Sequence, residues 1–252
     1  MPASDLSVPE LSVQLYTVRE ALAEDFDATL ATIAGFGFET VEPFGFDTFA
    51  DQLREGLPKH GLAAPTAHVG LLRGDADAIL DLAAELGIGT VIDPFVDPEQ
   101  WATTDGIAAT AEKLNAAAEK AAARGLRVGY HNHWFEVETD FDGLTGLDVL
   151  AANLAPEVVL EVDTYWAYVG GADVPALLNR LGDRVVALHI KDGDGTRDNK
   201  KQVAVGSGIV PVWDYIAAAP TALAVVELDD SEGDRVQAIE ASRAYLLKGD
   251  AR

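Results

Sequence analysis

The stretch Val158–Asp192, VVLEVDTYWAYVGGADVPALLNRLGDRVVALHIKD, contains the pattern that decides the fold. Two short apolar runs, 158–162 and 185–190, flank a segment with helical spacing. Pro175 stands near the start of that segment and Gly182 at its end, where these residue types favour a helix start and a helix stop. A strand, a helix and a second strand in this order are typical of a parallel βαβ unit.

Both apolar runs carry ionisable residues at their C-terminal ends. Glu161 and Asp163 lie two positions apart on the first predicted strand, so their side chains point to the same face of the sheet. His189 and Lys191 have the same spacing on the second predicted strand. Burying such groups costs several kcal/mol each unless they pair with one another or bind a cation. The pattern therefore predicts a functional site at this end of the two strands.

The same strand-and-helix unit repeats along the 252 residues of the chain. Strand-like runs end near Leu15, Val41, Ala67, Ile92, Tyr130, Val162, Ile190 and Leu228. Helical spacing covers Phe26–Ile33, Thr48–Lys59, Asp75–Leu86, Gly106–Arg124, Leu144–Leu154, Val174–Leu181, Val212–Ala218 and Arg235–Lys248. The alternation, with no break in composition, predicts an α/β fold, a (β/α)8 TIM barrel, as a single domain over residues 1–252. An open doubly wound sheet would need a glycine-rich phosphate loop after its first strand, and residues 14–17 (QLYT) do not form one.

Composition narrows the possible partners. The chain has no cysteine, so a bound metal would be held by histidines and carboxylates. Its formal net charge of −24 argues against binding to nucleic acid or to an anionic membrane. No run approaches the roughly 18 apolar residues of a membrane span, and the N-terminus lacks the pattern of a signal peptide. We therefore expect a cytoplasmic protein, and the sequence is compatible with a homo-oligomer.

Histidines and carboxylates are concentrated at the predicted strand ends, where a TIM barrel carries its active site. Of the five histidines, four lie there, namely His68, His131, His133 and His189. The carboxylates at these ends are Glu42, Asp93, Glu161, Asp163, Glu227 and Asp229. This clustering is the strongest physical signal for a site in the sequence.

Several of these residues also have a purely structural interpretation. His68 is either a core residue bonded to a backbone carbonyl or a member of the site. Glu42 interrupts an apolar strand, which favours a substrate contact. Lys191 shares a strand face with His189, which favours a role in the site, whereas Asp192 is interpreted as the start of a solvated loop.

Aromatic and glycine residues near the predicted site allow two interpretations as well. Trp134 and Trp166 are compatible with ordinary packing or with contact to the apolar face of a sugar ring. The sequence Gly206-Ser207-Gly208 offers backbone amides that can cradle an anion, although short Gly-Ser turns are common.

Seven segments together resemble a known family. In chain order they are GFGFETVEPFGF, TAHVGLL, GYHNHWFEVE, LEVDTYWAYVGG, ALHIKDGDG, VAVGSGI and VVELDD. They are similar to the sugar phosphate isomerase/epimerase group of the xylose isomerase-like TIM barrels, over nearly the whole chain. The resemblance implies a carbohydrate substrate and one divalent cation, Mn, Co, Mg or Zn. It also implies the metal ligands His131, Asp163, His189 and Glu227.

The chain departs from the family pattern in two places. Many relatives have Glu-Asn-His where this chain has His131-Asn132-His133, so one ligand carboxylate is replaced by an imidazole. Glu161 can restore that charge, either as a ligand or as a base. Trp166 stands where the related apurinic endonucleases have a metal-binding histidine, which argues against a trinuclear DNA-repair site.

These residues predict an isomerase or epimerase that acts on a sugar or keto-sugar through an enediolate. The candidates for acid/base catalysis are Glu227 and Glu161, assisted by His133 and Lys191. The candidates for substrate contact are Glu42, His68, Trp134 and Trp166. The alternative is a metal-dependent lyase or dehydratase that eliminates from a keto-sugar, keto-inositol or 3-keto-glycoside. A sugar-binding protein without catalysis and an apurinic endonuclease are the remaining hypotheses.

Overall fold

A curled parallel sheet forms the centre of the protein, whose computed structural model describes residues 9–249. The strands are β1 (Leu11–Val13), β2 (Thr66–His68), β3 (Thr90–Asp93), β4 (Arg127–His131), β5 (Asp140–Phe141), β6 (Leu144–Thr145), β7 (Val159–Asp163), β8 (Val185–Ile190) and β9 (Leu223–Val226). Seven of them form the main sheet in the order β1-β9-β8-β7-β4-β3-β2, while β5 and β6 form a small antiparallel hairpin.

Helices surround this sheet and cover its outer face. They are α1 (Arg19–Glu24), α2 (Phe26–Gly35), α3 (Ala50–His60), α4 (Ala76–Glu85), α5 (Thr104–Ala122), α6 (Phe135–Glu138), α7 (Gly146–Asn153), α8 (Thr164–Val169), α9 (Val174–Leu181), α10 (Val212–Ala218) and α11 (Arg235–Leu246). Short 3-10 turns span Leu15–Val18, Pro98–Ala102, Gly182–Arg184 and Asn199–Lys201. Within residues 9–249, none of the helices combines the length and the apolar character needed to cross a membrane.

The segment 40–44 lies between β1 and β2. It makes parallel bridges to both sides, pairing Glu42 with Gln14 and Phe44 with His68. The amide of Glu42 donates to the carbonyl of Val13 over 2.8 Å. Pro43 has no N–H to donate. For this reason the eighth strand position of the barrel contains isolated β-bridges and not the regular strand expected near Val41. With this segment in place the predicted (β/α)8 barrel is confirmed.

The βαβ unit that begins at Val158 contains two helices between its strands. Asp163 ends β7, and its side chain accepts a hydrogen bond from the amide of Trp166 over 2.8 Å, which starts α8 at once. Asp173 caps α9 in the same way, and Gly182, with φ of 57°, follows the last residue of α9. The sequence predicted α9 with its observed bounds, whereas α8 is too short to show a helical period.

Candidate metal centre and cavity

The register of the parallel strands places the predicted site residues side by side. Asp163 on β7 lies opposite His189 on β8, and Glu161 on β7 lies opposite His131 on β4. Glu227 follows directly after β9. All five side chains are buried, so their charges are balanced mainly by one another.

Three of the four predicted metal ligands form one group of donors, and the fourth, His131, lies next to Asp163. Donor atoms of Asp163, His189 and Glu227 all lie within 4.8 Å of one another. Nδ1 of His189 is 2.6 Å from Oε2 of Glu227, and Nε2 of His131 is 3.7 Å from Oδ2 of Asp163. Imidazole nitrogens and carboxylate oxygens are donors that suit Zn, Mn and Co. These residues therefore fit a divalent cation.

Burial and charge control the protonation of two of these residues. Burial, together with the neighbouring His189, holds the pKa of His131 well below its usual value, so this imidazole is neutral and has a free lone pair. Burial opposes the ionisation of Glu227, but Lys191 and His189 outweigh it and hold the pKa of Glu227 well below its usual value. These are the forms that bind metals.

Burial opposes the charge of His189, but Glu161, Glu227 and Glu42 outweigh it and hold the pKa of His189 well above its usual value. Burial also raises the pKa of Asp163. Binding of a cation would therefore release a proton from His189.

A second group of donors lies deeper in the barrel. It consists of His68, His131, Glu161 and His189, whose donor atoms also lie within 4.8 Å of one another. Oε2 of Glu161 lies 2.5 Å from Nε2 of His68, 3.1 Å from Nε2 of His189 and 3.2 Å from Nδ1 of His131. His189 thus belongs to both groups, with one ring nitrogen facing each.

Glu42 lies on the barrel floor next to Glu161. Its Oε1 accepts a hydrogen bond from Nε2 of Gln14 over 2.8 Å and lies 2.7 Å from Nε2 of His189. Burial raises the pKa of Glu42, and the charge of Glu161 raises it further. Burial also opposes ionisation of Glu161, but His189 and His68 more than compensate and hold the pKa of Glu161 well below its usual value.

Lys191 is a fully buried cation among acidic residues. Its Nζ lies 2.8 Å from Asp163, 2.7 Å from Glu227 and 2.8 Å from Asp229. Burial opposes the charge, but these carboxylates hold the pKa of Lys191 well above its usual value. Lys191 therefore stays protonated and shares two carboxylates with the predicted metal site.

A cavity of ≈ 490 Å³ opens onto these residues. Its polar lining includes His68, His131, His133, Glu227 and Asp229. Its apolar lining includes the aromatic rings of Tyr16, Phe44 and Phe95. Glu227 is the residue that belongs both to the group of three metal donors and to the cavity wall. A ligand in the cavity can therefore reach both a proton acceptor and a bound cation.

The two predicted tryptophan contacts pack against each other, with ring centroids 4.9 Å apart. Among the described residues that line the cavity, neither Trp134 nor Trp166 occurs. Trp166 is buried beneath Lys191, whose Nζ lies 5.6 Å from the ring centroid. The indole Nε1 of Trp166 is buried and has no hydrogen-bond partner among the described residues.

Asp192 is buried, which corrects its interpretation as the start of a solvated loop. Its carboxylate accepts hydrogen bonds from the amides of Gly193, Gly206, Gly208 and Val210, at 2.9 to 3.1 Å. A Cβ at position 208 would collide with this carboxylate, so glycine is required there. The amides of Gly206 and Gly208 do cradle an anion, as the sequence suggested, but the anion is the protein's own side chain.

We expect the Asp192→Asn variant to lose about 1–3 kcal/mol of unfolding free energy, because an amide cannot accept all four of these hydrogen bonds. Urea denaturation measures the loss. Ser207→Ala, an exposed change in the same loop, serves as the control and should unfold like the wild type. Equal unfolding midpoints for Asp192→Asn and the wild type would show that Asp192 does not anchor the loop.

Sequence reasoning did not assign a role to Gln14, Asp229 or the aromatic cavity residues. Asp229 was identified as a strand-end carboxylate, but only the structure places it against Lys191. Gln14 follows the first strand and has no charge to attract notice, yet it is buried and bonded to Glu42. Tyr16, Phe44 and Phe95 come together from segments that are far apart in the chain. Position after a strand end is the signal that all of them share.

Comparison with solved structures supports the barrel assignment. A sugar phosphate isomerase/epimerase from Parabacteroides distasonis ATCC 8503 superposes with a TM-score of 0.80 at 23% identity, covering 98% of each chain. The IOLI protein with a binding zinc atom superposes with a TM-score of 0.75 at 15% identity, over 96% of this chain and 100% of that chain. At such low identity these likenesses establish the fold alone.

Comparison of sequences gives the family. Inosose dehydratase from Salmonella agona (strain SL483) is 38% identical over 82 residues, which are 32% of this chain and only 26% of that protein's length. The model of the family described as xylose isomerase-like TIM barrel matches residues 30–246. Because this match covers most of the chain and agrees with the observed barrel, the protein belongs to the xylose isomerase-like TIM barrel family.

Proposed function

We propose that this protein is a divalent-metal-dependent enzyme that isomerises or epimerises a sugar or keto-sugar through an enediolate. The proposal rests mainly on Glu227, which belongs to the group of metal donors and also lines the cavity. The metal ligands in this proposal are His131, Asp163, His189 and Glu227. The solved relative with a bound zinc atom supports a metal in this fold.

A bound divalent ion, Mn, Co, Mg or Zn, would polarise the substrate carbonyl and stabilise the enediolate. The chain supplies the proton transfers. Glu227 is ionised and faces the cavity, so it can remove a proton from the carbon next to the carbonyl. Lys191 does not line the described cavity, but its ammonium lies 2.7 Å from Glu227 and would assist the proton transfer through that carboxylate.

Other residues in the cavity would bind and orient the substrate. His133 and His68 line the cavity and offer ring nitrogens to sugar hydroxyl groups. Trp166 and Trp134 do not line the described cavity, so any contact of these rings with substrate would be indirect. Glu42 lies on the floor, where its contact with substrate would be indirect, through His68 and His189. Carbohydrates are therefore the proposed substrate class, with no role for nucleic acid or membrane.

Incubation of candidate ketoses with the protein in heavy water tests this proposal. We expect deuterium to enter the carbon next to the carbonyl, with no other change of formula, and a chelator to abolish the exchange. A sugar that binds but exchanges no deuterium would indicate a binding protein and contradict catalysis. Exchange that persists after complete removal of metal would contradict the metal dependence.

The second candidate is a lyase that eliminates from a keto-sugar, keto-inositol or 3-keto-glycoside. A cavity of ≈ 490 Å³ with an aromatic wall provides room and apolar contact beyond one sugar ring, which favours a substrate with a second group. The similarity of one segment to an inosose dehydratase supports the same chemistry. In the heavy-water experiment a lyase would release water or an aglycone, so the mass of the product distinguishes the two reactions.

A further inference from the structure

Glu161 occupies an unusual place beneath the predicted metal centre. It lies two residues before Asp163 on β7, so its side chain points to the same face one layer deeper. The residue is 1% exposed, and it is not among the described residues that line the cavity. A carboxylate in this place has no direct access to a carbon atom of a substrate in the cavity.

Glu161 contacts two predicted metal ligands through the ring nitrogens that face away from the predicted cation. Its Oε2 lies 3.2 Å from Nδ1 of His131, whose Nε2 faces Asp163. The same oxygen lies 3.1 Å from Nε2 of His189, whose Nδ1 faces Glu227. One carboxylate oxygen therefore contacts both imidazoles on the side away from the predicted cation.

An imidazole that binds a metal usually gives its other N–H to a carboxylate, which fixes both the tautomer and the orientation of the ring. Glu161 is in position to do this for His131, and it shares Nε2 of His189 with Glu42, whose Oε1 lies 2.7 Å from that nitrogen. With the protons on the nitrogens that face Glu161, His131 Nε2 and His189 Nδ1 would be left free to bind a cation next to Asp163 and Glu227, and His189 would give up the proton that it shares with Glu227 at 2.6 Å.

We propose that Glu161 is a positioning residue that orients His131 and His189 as metal ligands, and that it is not a base that acts on substrate. The inference rests on the proposed function, because it takes these two histidines to be ligands. The sequence allowed Glu161 to be either a metal ligand or a base, and this inference gives it a third role. Nε2 of His68 lies 2.5 Å from the same oxygen of Glu161, and this third contact helps to hold the carboxylate in place.

The deep group His68, His131, Glu161 and His189 can also be imagined as a second metal site. Three ring nitrogens of the group already lie at hydrogen-bond distances from one oxygen of Glu161, while its other oxygen, Oε1, is buried without a hydrogen-bond partner among the described residues. The two possibilities differ in stoichiometry, with one ion for a positioning role and two for a second site.

Chelator-competition titration with Mn²⁺ and Co²⁺ tests the role of Glu161. We expect the wild type to bind one equivalent and the Glu161→Gln variant to bind one equivalent roughly 10–100-fold more weakly. The visible absorption bands of bound Co²⁺ should also change in the variant, because the imidazole ligands lose their orientation. Glu136→Gln is the matched control, since Glu136 is a buried glutamate bonded to Tyr130 and His133 instead of the two ligands. Its affinity should equal that of the wild type.

Nitrogen NMR of the wild-type imidazoles gives a second measurement that does not depend on the folding of a variant. In the metal-free protein we expect His131 to carry its proton on Nδ1, the nitrogen that faces Glu161. A proton on Nε2, or an unchanged metal affinity in Glu161→Gln, would overturn the positioning role. Two bound equivalents in the wild type and one in the variant would make Glu161 a ligand of a second ion. A wild type that binds no metal would overturn the proposed function itself, together with this inference.

Discussion

The Glu227→Gln variant should lose turnover by roughly 10²–10⁴-fold, because its amide cannot accept the proton that an ionised carboxylate removes. Metal binding should weaken at the same time, since an amide is a poorer ligand than the carboxylate that lies 2.6 Å from His189. Steady-state kinetics at saturating Mn²⁺ separates the two effects, because excess metal restores occupancy without restoring the base.

Glu232→Gln is a suitable control for this experiment. Glu232 is an exposed glutamate that pairs with Lys201 at the surface, and its replacement should leave turnover unchanged. A Glu227→Gln variant with wild-type turnover at saturating metal would remove Glu227 from the catalytic account, and the proposed proton transfer with it.

The Lys191→Met variant should have the largest effect on stability. Removing a buried ammonium that contacts Asp163, Glu227 and Asp229 leaves uncompensated negative charge, which costs about 3–5 kcal/mol in comparable buried pairs. Urea denaturation of the metal-free protein measures this loss. In the folded variant the affinity for Mn²⁺ should rise by about tenfold or more, because the carboxylates no longer share their charge with an ammonium.

Lys201→Met provides the comparison for the Lys191→Met variant. Lys201 makes a surface ion pair with Glu232, where water screens the charges, so its loss should change unfolding little. If Lys191→Met unfolds like the wild type and binds Mn²⁺ no more tightly, Lys191 does not compete with the cation for these carboxylates.

The barrel was predictable because its signal is local and repeated. Each helical segment and each apolar run carries its own period, and the eight predicted helices are all present with bounds that differ by a few residues at most. The segment around Val41 differs from expectation for a local reason, since Pro43 interrupts the hydrogen-bond ladder. The short helices α1, α6 and α8 escaped prediction because four to six residues are too few to show a period.

The site was predictable in part. Strand parity placed Asp163 with Glu161 and His189 with Lys191. The resemblance to a family implied four metal ligands, and three of these, Asp163, His189 and Glu227, lie in one donor group. The spacing placed Glu161 one layer deeper than Asp163, but it could not show that Glu227 lines the cavity while Glu161 does not. It also could not show that Asp192 points inward to bind the loop at Gly206.

The sequence by itself determined the barrel and the end of the barrel that carries the polar residues, because these depend on spacing along single strands. The candidate ligands were implied by the resemblance to a family. Only the tertiary structure decided which nitrogen of His189 faces Glu227, which carboxylates surround Lys191 and which aromatic rings line the cavity. Those contacts join residues far apart in the chain, and their geometry depends on how the closed barrel aligns its strands.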